Sequence, residues 1–341
     1  MRDLVVAGGG PVGLATALGA ARAGLDVAVI EPRAGDIDKA CGEGLMPGAV
    51  ARLAALGVHP AGRTLTGIRY LDGTHRAEAV FRHGTGLGVR RTTLHAELAA
   101  AAAAAGVVTL QRSVRSVENH VDHVRVDGEL ARYLVAADGL HSPVRRMLGL
   151  DGSGHRERRR FGQRRHFTIA PWSSFVEVHW AAAGEAYVTP VGDDQVGVAV
   201  LSDSRRGFDD LLGDFPELLD RLADAPGSRV RGAGPLRQRA RRRSAGRVLL
   251  VGDAAGYVDA LTGEGIALGL AQAGAAVAAV RAGDPGRYDA ESRRIGRRHE
   301  LLTQGLLTAT TSAAVRRRLV PAAARMPWLF GSAVNQLARP A

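Results

Sequence analysis

Two glycine-bearing turns hold the residues best able to do chemistry. Val248–Leu270, VLLVGDAAGYVDALTGEGIALGL, reads as a short buried strand, the pair Gly252-Asp253, and then Gly263-Glu264-Gly265-Ile266 opening an apolar helix of small residues. A helix opened in this way turns free backbone N–H groups and the positive end of its dipole toward whatever lies in front of it. A ring that gains negative charge on reduction suits that place, so Gly263, Gly265 and Ile266 are candidates to face one. At the other end of the chain, Leu4-Val5-Val6 is followed by Gly8-Gly9-Gly10-Pro11-Val12-Gly13, an alanine-rich helix ending at Gly24, and a strand Val27–Ile30 closing on Glu31. This is GxGxxG between strand and helix, with an acid about 20 residues on, as a dinucleotide fold requires. Gly8 allows the tight turn, Gly10 lets a pyrophosphate approach the backbone, Gly13 lets helix and strand pack closely, and Glu31 can accept from a ribose hydroxyl. Which dinucleotide binds is open at this level.

Other elements must position these turns. Tyr133–Ala137 reads as a strand ending in Ala137-Asp138-Gly139, after which Ser142 caps a short helix with Pro143 at its first position. In Asp38–Gly48, glycines at 42, 44 and 48 permit close approach, and Pro47 can begin a helix that ends near Gly57. Leu98–Leu110 reads as helix then strand. The middle of the chain changes to strand-period segments at Arg164–Ile169, Phe175–Trp180, Ala186–Pro190 and Gln195–Leu201. Alternation puts Phe175, Glu177 and His179 on one face, and Val176, Val178 and Trp180 on the other. One face must pack and the other can line a cavity, with Met46, His166, His179, Tyr187 and Pro190 as candidates for its wall. A satisfied structural role is the plainer reading of each histidine. Asp284–Ala341 is helical by pattern, with arginine-rich faces and the apolar segment Met326–Phe330. It could cap the cavity, meet a partner or touch a membrane surface, and packing onto the cofactor half is the simplest expectation.

The order GGGPVG, then Arg91-Thr92-Thr93-Leu94, then ADGLHSPVRR, then VGDAAG resembles the para-hydroxybenzoate hydroxylase-like flavoproteins over residues 1 to about 282. That group joins aromatic monooxygenases, flavin halogenases and geranylgeranyl reductases. The resemblance implies FAD and an α/β fold: a Rossmann-like FAD-binding domain with an inserted antiparallel β-sheet substrate domain and C-terminal helices. Its boundaries would be 1–65, 91–158 and 246–283 for the FAD domain, 66–90 and 159–245 for the sheet, and 284–341 for the helices. It further implies that Gly8, Gly10 and Gly13 surround the pyrophosphate, Glu31 holds the adenosine ribose, and Arg33 flanks it. Arg91 would reach the FAD phosphates, Asp138 would be shared between FAD and pyridine nucleotide, and Asp253 would accept from the ribityl chain. Pro11, Val12, Cys41, Gly42, Val114 and Gly252 complete the expected cofactor contacts.

The implied reaction is hydroxylation of an aromatic or polyketide-like small molecule through a C4a-hydroperoxyflavin, with NADPH or NADH as reductant. The alternative is a reductase of the geranylgeranyl type acting on C=C bonds. Cys41-Gly42-Glu43-Gly44-Leu45 and the LTGEGI turn resemble that branch, although Glu185-Ala186-Tyr187-Val188-Thr189-Pro190 stands where an aromatic-rich YxWxFP strand is expected. A halogenase would need a WxWxIP signature, which the chain lacks, and a flavin-binding protein without turnover is a third possibility. No second GxGxxG exists, so NAD(P)H would bind transiently near Asp138, or a separate flavin reductase would deliver reduced flavin. No catalytic side chain is assigned, since the cofactor carries the hard chemistry.

Composition bounds the rest. The chain of 341 residues has a net charge of +11, nearly all of the positive charge being arginine, clustered at Arg156–Arg165, Arg237–Arg247 and Arg316–Arg318. With aromatic residues at only 4% and no nucleic-acid module, the basic balance suits attraction of anionic cofactor or substrate better than nucleic acid. Lys39 is the only lysine and reads as an ordinary surface residue. Cys41 is the only cysteine, which excludes an intramolecular disulfide and fits a reducing compartment. No His and Cys ligands occur at metal spacing, His120 and His123 falling on opposite faces of an expected strand, and no GxSxG nucleophile is present. The start MRDLVVAGGG lacks the character of a signal peptide, and the longest apolar run is too short to span a bilayer, so a cytoplasmic protein without stable membrane insertion is expected.

Overall fold

A computed structural model describes residues 1–152 and 159–338. Arg156 and Arg158 of the first arginine cluster, and the boundary expected at residue 158, lie outside them. The main sheet runs Ser244–Ala245, Val248–Leu250, Glu129–Ala136, Arg2–Ala7, Val27–Ile30, Val108–Leu110, with a hairpin of Val117–Asn119 and Val124–Val126 beside Glu129–Ala136. Its five long-range strands are parallel and lie in the 3-2-1-4-5 order of a doubly wound fold. Leu4–Ala7, Val27–Ile30, Tyr133–Ala136 and Val248–Leu250 are all at most 3% exposed, the continuous apolar runs that a sheet covered on both faces demands. One face carries the helices α1 (Pro11–Arg22), α2 (Pro47–Ala55) and α3 (Arg91–Ala104). The short helix α4 (Pro143–Met147) starts under its Ser142 cap, whose hydroxyl accepts from Arg145 N, and packs on the other.

A second sheet roofs the first. Its order is Arg231–Ala233, Phe161–Thr168, Gln195–Ser202, Gly184–Gly192, Phe175–Ala181, Gly67–Leu71, Arg76–Val80. Strands from both expected segments, 66–90 and 159–245, therefore share one sheet, with two exceptions: Gly86–Gly88 pairs with Gly44–Leu45 and Arg63–Leu65 in a separate three-stranded sheet, and Ser244–Ala245 joins the main sheet. The roof is not antiparallel throughout: Gly67–Leu71 runs parallel to Phe175–Ala181, two strands far apart in the chain that no hairpin joins. The face bearing Phe167, Val188, Val198 and Val200 is covered by α5 (Phe208–Leu212) and α6 (Pro216–Leu222), which leaves the opposite face toward the main sheet. On the roof's outer face, burial pushes the Glu177 carboxyl upward, but the nearby His179 ring and hydrogen bonds from Trp172 and Arg69 outweigh it and hold its pKa at about 2. A folded pKa below the ordinary 4.5 contributes stability above pH 4.5 that is lost as pH falls through 4.5 toward 2. Glu177→Gln should thus be destabilising by roughly 3 kcal/mol at neutral pH, a gap that closes in acid. Urea unfolding of both proteins across pH checks this, and a gap independent of pH would contradict it.

Three helices follow α7 (Gly265–Ala282): α8 (Gly286–Thr310), α9 (Ala313–Arg325) and α10 (Pro327–Ala338). Among the described residues α7 alone is long and apolar enough to cross a membrane; half of it is buried inside the protein, where it packs between α1 and α8. The expectation that the C-terminal part packs onto the cofactor half holds only for α8, whose Tyr288 hydroxyl donates to Leu250 O at 2.5 Å. Instead α9 and α10 pack on Arg76–Val80 of the roof. Asn335 fastens α10 there, its Nδ2 donating to Val80 O at 2.8 Å and its Oδ1 accepting from Arg82 N at 2.7 Å. An edge strand with free backbone groups offers such a side chain a ready partner.

Candidate functional site

Strands Arg2–Ala7 and Glu129–Ala136 are the neighbours at which the strand order reverses, the place where doubly wound sheets bind ligands. A cavity of about 1010 Å³ opens between their carboxyl ends and the roof, at the top of the range of ~300–1,000 Å³ usual for ligand sites. The three motif glycines do different things. Gly8 has φ +103°, and a Cβ there would lie 2.5 Å from Ala137 O; at Gly13 it would lie 1.9 Å from Gly8 O. Both positions are therefore needed for packing. A Cβ at Gly10 would meet only Arg91 Nη2 at 3.6 Å, so its bareness serves open space in front of α1. The start of α1 has no side-chain cap and no acid in its first turn, which leaves its first N–H groups to a ligand.

Beside it, Arg91 opens α3, and its backbone N donates to Glu43 Oε1 at 2.8 Å. Among the described residues its Nε is buried with no hydrogen-bond partner, and so is Asp138 Oδ1, while Asp138 Oδ2 accepts from Val144 N at 3.0 Å. Burial pushes the Asp138 carboxyl upward against the hydrogen bonds of Ser142 and Val144. Orphaned polar atoms aimed at a cavity, together with a bare helix start, fit a bound anionic dinucleotide. Pro11, Val12 and Val114 line this end too. Glu31 is already engaged: Gly9 N donates to its Oε2 at 2.8 Å, and Arg33 straddles both oxygens at 2.7 and 2.9 Å. Burial pushes Glu31 up, but Arg33 and the two backbone donors hold it below the usual range. A ribose hydroxyl would have to share this carboxylate with Arg33.

At the other end Gly252 and Asp253 follow the strand Val248–Leu250, with Gly252 N donating to Gln272 Oε1 at 2.7 Å. Burial raises the Asp253 carboxyl, opposed by Lys39, Arg91 and Arg145. Arg145, 2% exposed, donates from Nη1 to Ala254 O at 3.1 Å, from Nη2 to Leu140 O at 3.2 Å, and from Nε to Asp151 at 2.6 Å. This one guanidinium ties the ADG segment to the GD turn. Gly263 turns at φ +68° and Gly265 starts α7 against the Tyr257 ring, while Glu264 turns its carboxylate away from the cavity to His299 Nδ1 at 2.9 Å. The N–H groups of Gly265 and Ile266 are left facing the cavity without a side-chain cap. Opposite lie Cys41, its thiol pushed up by burial, and Gly42, whose carbonyl accepts from Thr189 Oγ1 at 2.8 Å. Asp253→Ala should weaken flavin retention by roughly 10- to 100-fold, the loss of one charge-assisted hydrogen bond. Flavin absorbance after gel filtration measures it; unchanged retention would mean that Asp253 does not hold the cofactor.

From this end an apolar arm extends. The roof contributes Ile68, Tyr70, Val176, Val178 and Tyr187, and the C-terminal helices contribute Leu302, Leu306, Leu319, Phe330, Val334 and Leu337. None of these is charged; the charged lining residues lie toward the dinucleotide end and the roof edge near Asp38. Tyr187 Oη donates to Leu261 O at 2.8 Å and so fixes the approach to the TGEGI turn.

Of the residues expected on the pocket wall, Met46 and Tyr187 line the cavity. His179 does not: with Val176 and Val178 inward, alternation turns it outward, its Nε2 3.5 Å from Glu177. Pro190 fails for the same reason, being one residue out of step with Tyr187 and Thr189, at a bulge packed beneath Gly88. His166 is covered by Glu43, which accepts from its Nε2 at 2.5 Å, while Arg164 Nη1 lies 2.8 Å from its Nδ1. It supports the wall from behind. His120 and His123 sit in the turn between two strands, not on one strand, and their rings stack 4.5 Å apart. Lys39 is exposed yet stands at the cavity mouth, where loss of water, then Arg33 and Arg91, lower its pKa. Arg145 and Glu43 were not expected, whereas the C-terminal helices lining the arm realise one of the three placements left open for them, a cap on the cavity. Only Glu43 left a trace: a side chain among glycines, here at φ +58°.

The family described as an FAD binding domain matches residues 1–205. A menaquinone reductase of Mycolicibacterium smegmatis is 30% identical over 312 residues, covering 79% of this chain and 73% of that protein. A digeranylgeranylglycerophospholipid reductase 1 of Methanothermobacter thermautotrophicus is 28% identical over 323 residues, covering 86% and 80%. Among solved structures, p-nitrophenol 4-monooxygenase of Pseudomonas putida superposes with a TM-score of 0.79 at 19% identity over 98% of both chains.

Proposed function

The chain belongs to the FAD binding domain family and is an FAD-dependent oxidoreductase, and from that premise we propose that it saturates carbon–carbon double bonds in the prenyl chain of a lipid. The observation that carries this reading is the uncharged arm leading away from the TGEGI turn. A flexible hydrocarbon chain gains about 0.8 kcal/mol for each methylene that such a lining removes from water. The reductases at 28–30% identity support the same choice. Hydroxylation of a phenol fits less well, although a monooxygenase shares the fold. Activating a phenol calls for a base, and among the described residues the titratable groups beside the arm are Tyr70, Tyr187 and Tyr257, whose hydroxyls burial pushes well above the usual phenol range.

When bound, FAD supplies the electron pair that reduction of a double bond consumes together with two protons. The chain's own residues hold and shield. Gly10, the start of α1 and Arg91 would hold the pyrophosphate, and Asp253 a ribityl hydroxyl. The N–H groups of Gly265 and Ile266 would stabilise negative charge at the ring edge. Val176, Val178 and Phe330 would orient the prenyl chain and keep water out. Electrons would come from NADPH or NADH bound transiently near Asp138, or from a separate flavin reductase. Turnover of a prenylated quinone by dithionite-reduced protein, with and without air, tests the reading: activity without oxygen is expected, and a strict need for oxygen would contradict it.

A further inference from the structure

Between α8 and α10 lies a second opening, a groove of about 480 Å³. It is lined by the apolar Leu301, Leu302, Leu329 and Ala333 and by the cationic Arg294, Arg297 and Arg298. Leu302 and Ala333 also line the main cavity, so these two side chains separate the groove from the apolar arm. Around it large apolar side chains stand in water: Trp328 is 69% exposed, Leu301 64% and Leu329 47%. Arg294 pairs with Glu291, but among the described residues the exposed Arg297 and Arg298 make no hydrogen bond and no close ion pair, Arg298 acting on the buried Glu264 only at longer range. From Leu301 to Ala338 the chain has four arginines and no acid.

We infer that this face docks on a bilayer surface containing anionic phospholipid, with the groove as the door to the arm. Exposed arginines match the acidic headgroups, and an exposed tryptophan beside leucines suits the boundary between headgroups and acyl chains. Exposed apolar area of this kind, rimmed by charge of one sign, is the signature of an interaction surface. Passage of a prenyl chain through the door rests on the reductase reading; the docking itself does not.

Sedimentation of the holoprotein with vesicles tests docking without turnover, so its failure leaves the reaction assignment untouched. Binding is expected to mixed phosphatidylglycerol–phosphatidylcholine vesicles, to weaken with salt, and to be far weaker with phosphatidylcholine alone. Each arginine near an acidic leaflet is worth about a factor of five, so Arg297→Gln with Arg298→Gln should weaken binding roughly 25-fold. Vesicles should shift tryptophan emission to the blue, and Trp328→Ser should remove that shift while flavin content and melting temperature stay unchanged. Equal binding to both vesicle types, or variants that bind like the parent, would overturn the inference. So would a dimer in lipid-free buffer that Trp328→Ser converts to monomer, since a second copy would then be the occupant.

Discussion

Gly10→Ala should weaken flavin retention by roughly 10²–10³-fold, the loss of about two charge-assisted hydrogen bonds, and leave the apoprotein as stable as the parent. The basis is what an added Cβ would touch: nothing nearer than Arg91 Nη2 at 3.6 Å, at a backbone φ of −71° that alanine adopts freely. A methyl group there costs the fold nothing and occupies the space where a pyrophosphate would lie. Gly13→Ala should behave differently. Its Cβ would sit 1.9 Å from Gly8 O, so α1 must lift from the sheet. Alanine's better helix propensity, about 1 kcal/mol, does not offset an overpacking cost of roughly 3 kcal/mol. Flavin absorbance per protein and urea unfolding of the apoproteins separate the two. If Gly10→Ala destabilised the apoprotein as much as Gly13→Ala, Gly10 would be a packing glycine and its assignment to the cofactor would fall.

Ala199→Phe should reduce turnover of a long prenyl substrate by about 10²-fold, with flavin retention within a factor of two of the parent. Ala199 lies on the roof strand Gln195–Ser202, paired with Tyr187 of the central strand, with its methyl group at the cavity wall, and a phenyl ring there projects into the arm. The asymmetry between substrates is the informative part. A short prenyl alcohol needs less of the arm and should lose much less activity. Equal losses for both substrates would mean that the ring had disturbed the site as a whole, and no loss for either would mean that the substrate lies elsewhere.

The cofactor half was legible in the sequence because its requirements are local. Gly8, Gly13 and Gly263 answer to their own φ or to a backbone close by, and Pro11 and Pro143 start helices wherever they stand. Arg145 was not legible, since its partners Ala254 and Gln238 are about a hundred residues away and no spacing rule links them. The pocket wall was read by residue type where alternation should have ruled. With Val176 and Val178 inward, His179 could not be, and Tyr187 and Pro190 could not share a face. For α10 the signal was present in Phe330, Val334 and Ala338, four residues apart and all buried, but nothing in that stripe says that its partner is a roof strand and not the cofactor half.

Oxygen-18 labelling tests the central claim most directly. Reduced protein is given a prenylated quinone under ¹⁸O₂, and the lipid is recovered for mass spectrometry. A reductase yields product carrying two added hydrogens in the prenyl chain and no label, in the same amount as under argon. Product that carries one ¹⁸O and fails to form under argon would identify a monooxygenase and contradict the account.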